Sequence, residues 1–65
     1  MRDEYLYEKL DNMVNWGVEL LLCGRPSTPD EVASLLVKEE AIYMPDFIYD
    51  EKGRLSELHY DRINQ

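Results

Sequence analysis

The side chains that could do chemistry are few. Cys23 is the only cysteine and His59 the only histidine of the 65 residues. A thiol becomes a nucleophile when a base lies within hydrogen-bond reach. Cys23 follows Leu20, Leu21 and Leu22 at the end of an apolar pattern, so it reads as a small core residue. His59, beside Tyr60, reads as structural or exposed. One Cys and one His fall short of the four ligands of a structural zinc site, and a single Cys forms no internal disulfide. The acid pairs Glu39/Glu40 and Asp50/Glu51 are neighbours in sequence, and on a helix adjacent side chains point different ways. No glycine-rich phosphate loop appears. Neither an enzyme, a cofactor nor a metal is expected.

The aromatic residues and the charge say more. Trp16 falls beside the apolar stripe of the first segment, with Asn12, Asn15 and Glu19 around it. Such a Trp either covers a core edge or anchors an interface. Tyr5, Tyr7, Tyr43, Tyr49 and Tyr60 stand among carboxylates. That mixture suits a face that docks on a basic partner or imitates nucleic acid, and it equally suits a small core rimmed with tyrosine. Fourteen acids against seven bases give a net charge of −7. DNA affinity comes largely from basic contacts to phosphate, so the charge turns the chain toward protein partners or simple solubility.

These residues must be positioned by one small domain spanning residues 1–65. A chain this short buries only about 60% of its unfolded surface, so its stability rests on packing or association. Leu6, Leu10, Met13, Gly17 and Leu20 follow a three-four spacing that predicts a long helix over 3–22, closed by Gly24 and Pro26. At 1.5 Å per residue it would be about 30 Å long, against a radius of gyration of about 11 Å. It would therefore bend near Gly17 or be covered by another chain. "STPDEVASLL" starts a second helix. Thr28 is its N-cap, Pro29 sits at N1, and Glu31 completes a capping box. Val32, Leu35 and Leu36 form its buried face. Residues 37–44 either extend this helix or make a short third one. From residue 46 the period changes, and "DFIYD", "EKGR" and "LSELHY" predict a β-hairpin. The fold class is α+β.

A capped helix, a short second helix and a hairpin with a Lys-Gly-Arg turn make the order of a winged helix-turn-helix. "TPDEVASLL" resembles the first helix of the motif in excisionase and MerR-like domains. "AIY" at 41–43 looks like the start of their recognition helix, and "EKGRLSELHYDRI" like their wing. The resemblance covers residues 27–63. It implies DNA binding, with Lys52 and Arg54 at the wing tip contacting phosphate, although the two residues by themselves read first as a solvated turn. The departures are Glu39 and Glu40, which would face phosphate, and the absence of a following Arg or Lys to read guanine.

The reading is therefore a small acidic regulator that acts by binding another protein, in the style of a phage or mobile-element inhibitor or adaptor. The alternative is a winged-helix DNA-binding regulator using Lys52 and Arg54. Under either, the first helix is the expected protein interface, through Leu6, Leu10, Met13, Trp16, Gly17 and Leu20, and pairing of two such helices would make a homodimer. No run approaches the ~20 apolar residues of a membrane span. The mixed charge of "MRDEYLYEKL" is unlike a signal peptide, and with a free cysteine it points to the cytoplasm.

Overall fold

The computed structural model describes residues 1–38 and 42–63, which form two helices and a four-stranded sheet. Helix α1 spans Glu4–Asn15, and the Asp3 carboxylate caps it by accepting from the Leu6 N–H at 3.1 Å. Its end corrects the expected helix over 3–22. Gly17 takes φ +94°. Its N–H donates to the Val14 carbonyl at 3.0 Å, and the Val18 N–H donates to the Met13 carbonyl at 2.9 Å. These two bonds form a Schellman stop around a left-handed residue, which glycine adopts without a Cβ penalty. The apolar series misled because Val18, Leu20 and Leu22 also satisfy a period of two, and the chain obeys that second period.

Strand β1 (Glu19–Leu22) follows at once, and a two-residue turn leads to β2 (Arg25–Pro26). Cys23 and Gly24 both take positive φ, 51° and 81°, the signature of a type I′ hairpin turn. Cys23 is thus an exposed turn residue rather than part of the core. Helix α2 spans Pro29–Lys38. Thr28 Oγ1 accepts from the Glu31 N–H at 3.1 Å, as an N-cap should. Glu31 does not return the bond in capping-box fashion; its Oε1 accepts from the Ser27 hydroxyl at 2.6 Å.

Strands β3 (Ile42–Tyr49) and β4 (Leu55–Ile63) form the hairpin. Ile42 and Tyr43 lie on β3, so the expected recognition helix does not start there; β-branched and aromatic side chains favour the pleated strand. No third helix occurs among the described residues, and Glu39, Glu40 and Ala41 lie outside them. The sheet order is β2-β1-β4-β3, with β1 parallel to β4 and the other pairs antiparallel.

The register sorts the side chains. Leu20, Leu58 and Phe47 share one row, and Leu22, Tyr60 and Pro45 the next. These rows face the helices. Leu20, Leu58 and Tyr60 pack with Leu10 of α1 and Val32 of α2, while Leu6, Met13, Leu36 and Leu55 close the margins. The backbone joins the two helices as well, because the Asp3 N–H donates to the Ala33 carbonyl at 3.2 Å. Arg2 bridges Glu4 and Asp30 and lies 3.6 Å above the Tyr7 ring. The radius of gyration is 11.7 Å, and a helix of 12 residues, about 18 Å long, fits without overhang.

Candidate functional site

The residues expected to pair two first helices are divided by the fold. Leu10 is 2% exposed and Leu20 4%. Leu6 and Met13 lean on the same core, and Gly17 forms the turn out of the helix. Leu10 and Leu20 are thus used in the core of a single chain. Trp16 stays outside, 79% exposed at the C-cap of α1; a core-edge cover would be far less exposed. Lys52 and Arg54 flank Gly53 at the hairpin tip. Both donate backbone N–H groups to Asp50 Oδ1 at 2.9 Å, and Arg54 Nε lies 3.6 Å from Asp50 Oδ2. Those hydrogen bonds, the Arg54 N–H first, hold the Asp50 carboxyl below its usual value. The tip is a turn held by its own carboxylate, and one of its two cations already has a counter-ion.

The hairpin prediction placed its first strand from residue 46; it missed the start of β3 at Ile42 and the exposure of the strand. Of its eight residues, Ile42, Met44, Phe47, Ile48 and Tyr49 are large, apolar and exposed. A near-continuous apolar strand normally marks burial on both faces. Here the helices cover β1 and β4, and β3 is the edge strand: only Tyr43 leans on the core, and the other apolar side chains of the strand stay exposed. The signal was present as "IYMPDFIY", but sequence cannot say which strand lies at the rim.

The sheet face opposite the helices has a composition of its own. Its rows are Glu19, Glu57 and Ile48; Leu21, His59 and Asp46; Asp61 with Met44; and Ile63 with Ile42. His59 Nε2 lies 2.9 Å from Glu57 Oε1. Four carboxylates thus alternate with exposed aliphatic side chains. The seven bases of the chain, all among the described residues, lie elsewhere. Arg2, Lys9 and Lys38 belong to the helical side, Arg25 and Arg62 point off the opposite pleat, and Lys52 and Arg54 sit at the tip.

Among the described residues no group of three or more His, Cys, Asp or Glu side chains could hold a metal ion. No described helix is long and apolar enough to cross a membrane. Compared with known protein families, with curated proteins and with solved structures, the chain matches none.

Proposed function

We propose that this chain is a small non-enzymatic regulator that acts by binding another protein. The observation that carries this reading is β3, an edge strand whose apolar side chains stand exposed on both faces. Exposed apolar surface concentrated on one element marks an interaction site more often than scattered single residues do. The net charge of −7 supports a protein rather than a nucleic-acid partner. Its role as an inhibitor or adaptor of phage or mobile-element type rests on small size and acidity alone.

The test is capture from a lysate of the source cell with the immobilised full chain, beside a Met44→Ser/Ile48→Ser double variant. A partner retained in stoichiometric amount by the parent chain and reduced at least tenfold by the variant is the expected result. The second reading, DNA binding on a winged frame, has one feature in its favour, the exposed pair Lys52 and Arg54 at the hairpin tip. A gel shift on duplex DNA at low salt that disappears in Lys52→Ala/Arg54→Ala would replace the first reading with the second.

A further inference from the structure

Resting on the protein-binding reading, we infer that the helix-free face of the sheet is a docking site for a basic amphipathic helix of the partner. Three features of the face choose this occupant. The first is charge. Glu19, Asp46, Glu57 and Asp61 all project from this face, and no Lys or Arg does. A second copy of the chain laid face to face would bring two such sets of carboxylates together, and like charges placed opposite each other are destabilising. Arg and Lys side chains on an occupant would meet carboxylates instead.

The second feature is apolar relief. Met44 is 58% exposed and Ile42 52%, with Ile48 and Ile63 beside them and Leu21 half-buried. They form a broken stripe across β3, β4 and β1 between the acids. Such a surface takes an occupant that is apolar along one line and cationic on both flanks. Three strands at ~4.8 Å spacing make the face about 10 Å wide, close to the ~10–12 Å diameter of one helix. Along β3, eight residues at ~3.4 Å each give roughly 27 Å, the length of about five helical turns.

The third feature argues against adding a strand at the β3 edge. The Tyr60 carbonyl accepts from the Cys23 N–H at 2.8 Å, so Tyr60 directs its backbone toward β1. Its partner in the register is Pro45, which therefore directs its backbone nitrogen to the free edge. That nitrogen has no hydrogen. An incoming strand would find a donor missing in mid-edge, a known protection against edge pairing. Recognition at this edge runs through side chains rather than through a main-chain ladder, as in the binding of a helix to a surface groove.

The experiment uses the isotope-labelled full chain and three 18-residue probe peptides. The first is helical, with Leu along one face and Arg on both flanks. In the second Glu replaces Arg, and in the third Ser replaces Leu. Amide chemical shifts report where each binds. The expected result is saturable, salt-sensitive binding of the Arg/Leu peptide alone, centred on residues 44–48 and 57–61. The pair Asp46→Asn/Asp61→Asn should weaken it at least fivefold, whereas Glu8→Gln/Asp11→Asn removes the same charge from α1 and should change it less than twofold. Dispersed amide spectra establish that each variant is folded. Shifts centred on α1 or the hairpin tip, equal losses from the two charge pairs, or equal binding of the Ser peptide would each overturn the site. A doubled mass without peptide, lost in Met44→Ser/Ile48→Ser, would hand the face to a second copy. If a captured cellular partner survives Met44→Ser/Ile48→Ser, this site falls while the protein-binding reading stands. If no partner is captured and DNA is shifted, that reading falls as well.

Discussion

At the scale of single residues, two positions show how little chain is needed to decide a conformation. Gly17 stops α1 because its positive φ lets two N–H groups reach back to Val14 and Met13. The same residue, taken only by its place in a three-four series, reads as part of a helix interface. Asp50 does comparable work in the hairpin turn, where its carboxylate accepts from the Lys52 and Arg54 N–H groups. Because those bonds favour the ionised form, its folded pKa lies below the ordinary value of 3.8. A lowered folded pKa contributes stability that is present above the unfolded value and is lost as pH falls through the folded one. The Lys52 and Arg54 amide resonances should therefore shift together below about pH 4. In Asp50→Asn that shared acid transition should vanish while the rest of the spectrum titrates as before.

At the scale of elements, β3 is the unusual one, and its composition makes sense only with its position. An apolar strand left at the rim of a sheet is a hazard for edge-to-edge association. Pro45 reduces the hazard at the residue where the free edge would otherwise offer a donor. Pro45→Val restores that N–H and adds a β-branched side chain of higher strand propensity. The parent chain should keep a constant mass in light scattering as concentration rises, whereas Pro45→Val should associate in proportion to concentration. A parent chain that associates equally would show that Pro45 does not guard the edge. Helix α2 is the opposite case, since its cap Thr28, its Pro29 and its core residue Val32 were all legible locally. Capping depends on residues within one turn of each other, so no distant contact was needed to see it.

At the scale of the whole molecule, the core is small and central. Leu10, Val32, Leu20, Leu58 and Tyr60 join both helices to the two inner strands. A chain of 65 residues has roughly 3–10 kcal/mol of stability at about 0.05–0.15 kcal/mol per residue. Truncating a buried leucine costs roughly 2–5 kcal/mol. Leu58→Ala, on the strand that touches both β1 and β3, should therefore abolish most of the cooperative urea transition. Ile48→Ala, on the uncovered face, should cost less than about 1 kcal/mol. Similar losses from both would mean that the helix-free face is covered in solution and that the partition into two faces is wrong.

The sequence by itself determined the α+β class, the second helix with its start at Thr28, the hairpin around Gly53 and the excess of carboxylates. Each of these is written in short-range chemistry or in composition. Where α1 ends was less legible, because "VNWGVELLLC" satisfies a helical and a strand period at once; the Gly17 stop and the packing of Val18 and Leu20 into the core with Leu58 and Val32 together select the strand. The tertiary structure decided that Cys23 is exposed and that Ile42 and Tyr43 are strand. It also decided that Leu10 and Leu20 lie inside, and that β3 stands at the rim of the sheet. Strand order governs that last outcome: the rim of a sheet is set by pairings between residues far apart in the chain, and no local pattern records which strand will have a neighbour on only one side.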